Sequence, residues 1–343
     1  MTIPTFKTLA EACRYSGIIA PDYVPSFGES LRVRTEKHPR NKNGFLYGLA
    51  DNAVFVANWE DWEGLKSVYS DKADRKFTPQ ELVSLKKATQ TLREEREKES
   101  AKAQWQVAIH AQEFIRTQCK SLDTTRLHSY LLGKQIQPVP TILETTGEQF
   151  NQTLGRDVCQ RLKEGRYLVI PLVQSFHGNK KVVSIQFIDE YGGKFFLKGG
   201  RTKGSYWLAT NRLNSSQSKP LIVMAEGVAT LLSVIQRQPF NGLAVAGMNC
   251  NNLEKVALSL HYQYPNLPML ILADNDKSGA GIKGAEKARK AVKYCFIKMP
   301  QFSAEDIEAF KSITGTDKEP TDWNDYYKIK SRRQSNSRQY RIV

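Results

Sequence analysis

A chain of 343 residues carrying 50 Lys and Arg against 35 Asp and Glu has a formal charge of +15, and its length supports two or three domains with a sizeable core. So basic a chain points to a polyanion, nucleic acid before any other, with lysine that merely solubilises the surface as the plainer alternative. No signal peptide or apolar run near membrane-spanning length occurs, and the five cysteines (Cys13, Cys119, Cys159, Cys250, Cys295) form no C-x-x-C pair, which argues against a zinc ribbon and for reduced thiols in a cytoplasm, with no membrane contact.

Residues 1–75 read as a small α+β unit: a helix from Thr5 to Ser16, then short strands around Leu31–Arg34, Gly44–Tyr47 and Ala53–Trp59. The loop from Glu36 to Gly44 is basic and turn-rich, and Phe45, Tyr47, Phe55, Trp59 and Trp62 flank it. Aromatics interleaved with basic residues suit single-stranded nucleic acid, where bases stack and phosphates pair with cations; a module this small equally needs aromatics for its own core. Both readings stand at this point.

Residues 76–140 form a charged helical linker. Its helix is opened by Thr78 as cap and Pro79 in the first turn and runs to about Thr117, so polar around Leu92–Glu99 that bridging two domains is the natural role. The following Arg126–Lys134 shows no chemistry of its own. Residues 141–219 make the basic N-terminal part of a catalytic core, with a strand at Tyr167–Val173 and a meander to Leu208 whose turns carry paired glycines. Lys194, Lys198, Arg201 and Lys203 cluster on the last hairpin and its exit loop, where the Gly-Gly-Arg-x-Lys-Gly setting favours close approach of phosphate. No G-x-x-x-x-G-K-[ST] occurs, so no P-loop motor is expected.

In residues 220–327 the strand Leu221–Ala225 delivers Glu226-Gly227, and the strand Pro268–Ala273 delivers Asp274-Asn275-Asp276. Helical spacing over Val228–Gln238 and Asn252–Tyr262 makes the pattern βαβαβ and the sheet parallel, so the three carboxylates land on the working edge at the strands' carboxyl ends. Asp274 and Asp276, two apart in an extended segment, point the same way and can hold one hard cation between them, while Glu226 shares that metal or moves a proton. A flexible turn at Asp276–Gly281 leads into a helix over Ile282–Val292, which places Lys277 and Lys283 near any bound phosphate. Asp322-Trp323-Asn324-Asp325 then adds two carboxylates, and residues 328–343 are a basic tail polar enough to be disordered.

Met224-Ala225-Glu226-Gly227 followed by Leu270-Ile271-Leu272-Ala273-Asp274-Asn275-Asp276 resembles the Toprim domain shared by bacterial primases, topoisomerases and small nucleases. Upstream, Val182–Asp189 and Lys194–Gly204 are similar to the segment that precedes Toprim in plasmid and phage primases, which are related to the catalytic core of the cellular DnaG-type enzymes. Arg126–Lys134 and residues 1–75 are similar to other parts of those proteins. The resemblance implies an α/β fold: a Toprim-type parallel sheet flanked by helices, preceded by a mixed α+β basic subdomain and a small α+β N-terminal domain joined by a long helix. It also implies a DNA primase of a plasmid, phage or mobile element, making primers on single-stranded DNA from nucleoside triphosphates with Mg²⁺ or Mn²⁺, alongside a replicative helicase. Glu226, Asp274 and Asp276 are then catalytic and metal-binding, Asp322 and Asp325 further metal ligands, and Lys194, Lys198, Arg201, Lys203, Lys277 and Lys283 contacts to nucleotide or DNA. A Toprim nuclease and a non-catalytic DNA-binding accessory protein are the alternatives. A topoisomerase needs a nucleophilic tyrosine in a separate large domain, for which the chain has little room.

Overall fold

A computed structural model describes residues 3–40, 42–50, 53–58, 66–71, 79–123, 125–176, 178–213, 219–238 and 240–339. The chain divides into two units, Met1–Ser100 and Ala101–Val343, and the division falls inside one helix.

The first unit is a five-stranded sheet of β1 (Thr5–Phe6), β2 (Ser30–Val33), β3 (Gly44–Ala50), β4 (Ala53–Asn58) and β5 (Lys66–Ser70), in the order β1-β5-β4-β3-β2. Its helix α1 spans Leu9–Tyr15, shorter than the expected Thr5–Ser16. Thr8 and Glu11 form a capping box that starts the helix there, and Thr5–Phe6 instead pairs in parallel with β5. Alternation along β3 and β4 sends Leu46, Val54 and Val56 to the face that packs Ala12 and Cys13 of α1, and Phe45, Tyr47 and Phe55 to the other. These three aromatics are buried, with Phe45 in ring contact with Tyr47 and Phe55 at 6.4 and 6.5 Å. The base-stacking reading is therefore corrected at these positions: apolar rings on a pleated strand are drawn into the core. Thr78, Trp59 and Trp62 lie outside the described residues.

Helix α2 runs forty residues, Pro79–Gln118. Its second half belongs to the other unit, where Ala111 and Phe114 pack under an antiparallel sheet of β6 (Lys120–Ser121), β7 (Leu143–Thr146), β8 (Arg166–Phe176), β9 (Asn179–Asp189) and β10 (Lys194–Phe196). Helices α3 (Ser129–Lys134), α4 (Gly147–Gln152) and α5 (Leu154–Asp157) fill the connections. The two-residue period of β8 divides its apolar side chains between two cores. Tyr167 and Val169 face Phe114, Phe150 and Phe187, while Leu168, Ile170 and Leu172 face a second sheet.

That second sheet carries β11 (Trp207–Arg212), β12 (Leu221–Ala225), β13 (Gly242–Ala246), β14 (Met269–Leu272) and β15 (Cys295–Lys298), in the order β11-β13-β12-β14-β15. Four strands are parallel as the βαβαβ pattern requires; the edge strand β11 is antiparallel, a feature the pattern did not reveal. Both faces are covered, which explains the unbroken apolar runs. Val223, Ala225, Ala244 and Ala246 meet α6 (Val228–Ile235) and Trp323, whereas Ile222, Met224, Leu243, Val245 and Ile271 meet α7 (Leu253–Gln263) and α8 (Ala280–Ala291). At Gly242 the backbone has φ +134°, and a Cβ there would lie 1.8 Å from the Leu221 carbonyl oxygen, so only glycine lets β13 enter beside β12.

Helices α9 (Ala304–Thr314) and α10 (Trp323–Gln339) close the unit. The expected disorder of residues 328–343 is corrected as far as Gln339: α10 continues through this stretch, Ile329 is buried, and Arg333 reaches Asp306 at 3.0 Å. Among the described residues no helix is long and apolar enough to cross a membrane.

Candidate active site

The carboxyl ends of β12 and β14 are neighbours, Ala225 pairing with Leu272, so Glu226 and Asp274 emerge on the same edge of the sheet. Glu226 is set by the turn after β13. Its carbonyl accepts from the Met248 N–H at 2.7 Å, with Met248 in the left-handed region at φ 66°, and its carboxylate accepts from the Cys250 N–H. Burial raises the pKa of Glu226, Asp276 adds to the rise, and the Cys250 N–H and Lys194 oppose it.

Asp274 is the most perturbed carboxylate at this edge. Its Oδ1 is buried without a hydrogen-bond partner. Burial first, then repulsion from Asp322, Glu226, Asp276 and Asp325, pushes its pKa up to about 7. Asp322 immediately precedes α10 and Asp325 lies in its first turn; Asp322 Oδ1 accepts from the Asp325 N–H at 2.8 Å and Asp325 Oδ2 accepts from the Thr321 N–H at 3.0 Å. Burial, then Asp322, raises the pKa of Asp325.

Asp276 behaves differently from what its two-residue spacing from Asp274 suggested. Its carboxylate accepts from the Ser278 hydroxyl, from the Ala280 N–H at 3.3 Å and from the Gly281 N–H at 2.9 Å, so it caps the first turn of α8. These bonds, led by Ser278, lower its pKa. The turn is thus a hydrogen-bonded cap rather than a flexible link, and α8 starts at Ala280, two residues before the expected Ile282. Gly281 permits the close approach, since a Cβ there would lie 2.9 Å from the Asp274 carbonyl oxygen.

Of the expected cations, Lys194 comes nearest the acidic edge, where Asp322, Glu226 and Asp274 all act on it. The protein packed around its stem, then Lys134, hold its ammonium below the usual lysine range. Lys134 was missed in the sequence because nothing in Arg126–Lys134 marks it. The C-terminus of α3 brings it to Lys194, and together with Tyr130, Glu190 and Gly192 the two lysines line a cleft of about 440 Å³. Lys328 on α10 is a further cation near Lys134, Asp325 and Asp322. The neighbouring Asn324 is buried and donates to the Lys134 carbonyl at 2.6 Å and the Ser233 hydroxyl at 2.8 Å, tying α10 to α3 and α6.

The remaining basic positions do not converge there. Lys198 Nζ donates to the Cys159 carbonyl at 3.5 Å, Lys277 pairs with Glu319 at 3.0 Å beside Asp276, and Lys283 is exposed on α8. Arg201 and Lys203 sit on the loop before β11, with Lys203 next to Lys255 of α7.

The donor set at this edge is all oxygen and the Asp274 Oδ1 lacks a partner, which fits a hard divalent cation. Among the described residues no three His, Cys, Asp or Glu side chains already form a metal-binding group.

Residues 221–332 match the Toprim_3 family, described as a Toprim domain. Two Escherichia coli proteins named DNA primase TraC are similar to the chain. One is 28% identical over 174 residues, 47% of this chain and 15% of the relative; the other is 29% identical over 163 residues, 46% and 10%. The chain therefore spans a small part of the length of these relatives. Among solved structures, the primase fragment of the bacteriophage T7 primase-helicase protein is 15% identical with a TM-score of 0.32, over 51% of this chain and 63% of that one. The T7 lagging-strand DNA polymerase complex with primase domains of two gp4 subunits gives 16% identity and a TM-score of 0.34, over 60% and 91%. The chain carries a Toprim domain at residues 221–332 and is similar over about half its length to proteins named DNA primase TraC.

Proposed function

We propose that this chain is a DNA primase that joins nucleoside triphosphates into short primers on single-stranded DNA. The observation that carries the reading is the buried, unpartnered Oδ1 of Asp274 amid Glu226, Asp276, Asp322 and Asp325, with Lys194 acting on it from a cleft that Lys134 also lines. Similarity to proteins named DNA primase and the Toprim match at residues 221–332 support it.

In this reading Glu226, Asp274 and Asp322 hold Mg²⁺ or Mn²⁺, with Asp276 and Asp325 adding negative charge. Held by these carboxylates, such a metal would supply positive charge to an attacking hydroxyl and to the leaving pyrophosphate. The protein's own groups do the rest. Lys134 and Lys194 hold the triphosphate as point charges, and Lys328 balances Asp322 and Asp325. Asp276, held by the α8 N–H groups, fixes the backbone from which Asp274 emerges.

The test incubates the full chain with single-stranded DNA, labelled nucleotides and Mg²⁺ or Mn²⁺. New oligomers that disappear in Asp274→Ala are the expected result. Shortened DNA indicates a nuclease using the same carboxylates, and DNA retention without either product indicates an accessory protein; both overturn the proposal.

A further inference from the structure

The segment Arg126–Lys134 carries no chemistry legible in the sequence, yet its helix α3 lies along the cleft beside the acidic edge. The start of the helix is fixed by His128, which is fully buried: Nδ1 accepts from the Tyr130 N–H at 3.3 Å and Nε2 meets the Arg166 carbonyl at 3.2 Å, so the ring is the neutral tautomer with its proton on Nε2. Leu131 and Ile136 root the helix in the core. Tyr130 is 6% exposed, and its hydroxyl is buried without a hydrogen-bond partner. What Tyr130 offers the cleft is therefore its ring and not its hydroxyl.

The turn between β9 and β10 lies against that ring. Asp189 Oδ1 accepts from the Tyr191 N–H at 2.9 Å and the Gly193 N–H at 2.7 Å, and Gly192, at φ +88°, passes so close that a Cβ there would lie 3.5 Å from the Tyr130 ring. Lys194, the first residue of β10, then sets its Nζ 5.7 Å from the ring centroid, within the distance at which an aromatic face attracts a cation. Other forces act on this ammonium: Asp322, Glu226 and Asp274 attract it, and Lys134 repels it. A lysine on a flexible stem gains most by closing directly on a buried, unsatisfied carboxylate, since each then offsets the other's desolvation. The Asp274 Oδ1 is such a group and still has no partner. The ring gives the ammonium a different seat, which leaves the carboxylate open to a cation and the ammonium open to an anion. Lys181 over Trp105, at 5.2 Å, is a plainer case: Trp105 is itself 42% exposed, and two surface side chains have met.

We propose that Tyr130 is a positioning residue whose ring face holds the Lys194 ammonium off the Asp274 carboxylate and toward the cleft, where it receives the phosphates of a nucleoside triphosphate. The hold of the ring on the ammonium stands on geometry alone; the ligand rests on the primase reading.

The test has two readouts on the full chain. Reductive methylation with ¹³C-formaldehyde makes every lysine an NMR reporter that keeps its charge, and the signal missing from Lys194→Arg is that of Lys194. It lies upfield in wild type and in Tyr130→Phe, from the ring current, and moves to the position of exposed lysines in Tyr130→Leu. Calorimetry measures binding of ATP with Mg²⁺ to wild type, to Tyr130→Phe, and to chains carrying phenylalanine with one, two or three ring fluorines at the same position. Fluorine withdraws charge from the ring face and leaves its shape, so a ring that only fills space shows no trend. The expected result is wild-type affinity for Tyr130→Phe and a stepwise loss with each fluorine, reaching roughly 5- to 30-fold at the end of the series. A Lys194 signal that neither Tyr130→Leu nor the fluorinated series moves overturns the positioning role, and the fluorinated chains answer even where Tyr130→Leu does not fold. A signal that moves as expected while ATP binds every variant equally overturns the assignment of the triphosphate to Lys194. Neither readout requires primer synthesis, so a chain that gives both expected results and makes no primers overturns the primase reading alone.

Discussion

Asp274→Asn tests directly whether the acidic edge is strained in the metal-free protein. The folded environment raises this carboxyl from 3.8 to about 7, so the folded chain holds the proton more tightly than the unfolded one. The sign follows: stability contributed by that proton is present at low pH and is lost as pH rises from about 4 through about 7. Three pKa units correspond to about 4 kcal/mol, an upper bound that water entry and side-chain relaxation reduce to about 2 kcal/mol. Asparagine keeps the shape and removes the charge. With EDTA at pH 8 the variant should unfold roughly 4–8 °C above wild type, because 1 kcal/mol is worth roughly 2–4 °C in a body of 150–250 residues. At pH 5 the gap should close, since Asp274 is then protonated. Added Mg²⁺ should raise the melting temperature of wild type more than that of the variant, and primer synthesis by the variant should be lost. Thermal unfolding of the full chain at the two pH values, with EDTA and with Mg²⁺, provides every number. An Asn variant that melts at or below wild type in EDTA at pH 8 would refute the argument that Asp274 is held against its neighbours' charge.

Other substitutions probe how the edge is supported. Asn324→Ala strands the Lys134 carbonyl and the Ser233 hydroxyl, and urea denaturation should show a loss of ~1–3 kcal/mol. Glu144 holds Arg166 through bonds of 3.1 and 2.6 Å in a nearly buried pair between β7 and β8. Glu144→Ala should cost ~3–5 kcal/mol in the same assay, and the double change Glu144→Met/Arg166→Met clearly less, because the larger part of the cost is a buried unpaired charge. Gly242→Ala forces a side chain into φ +134° and against the Leu221 carbonyl; strain of ~1–3 kcal/mol from the backbone alone, plus the clash, should appear as a lower melting temperature or as insoluble protein on expression. Asp276→Ala removes the cap of α8 and should cost ~1 kcal/mol in urea, a loss that Asp276→Asn partly avoids.

The alternation of apolar runs with helical spacing over residues 220–300 determined by itself that β12, β13 and β14 are parallel and that Glu226 and Asp274 share one edge, because strands buried on both faces need continuous apolar residues and crossovers must return the chain in the same direction. Local signals written within a few residues are equally legible: the Thr8–Glu11 capping box starts α1 at Leu9, where helical spacing alone extends it back to Thr5. Tertiary structure alone decided the rest. Phe45, Tyr47 and Phe55 went to a core because register on a pleated sheet assigns faces that composition cannot. Asp276 turned to α8 because the N–H groups of a helix start bond its carboxylate. Lys134 joined the site only through contacts between segments far apart in sequence. A lone lysine carries no periodicity, and what it does depends on which loop the fold brings against it.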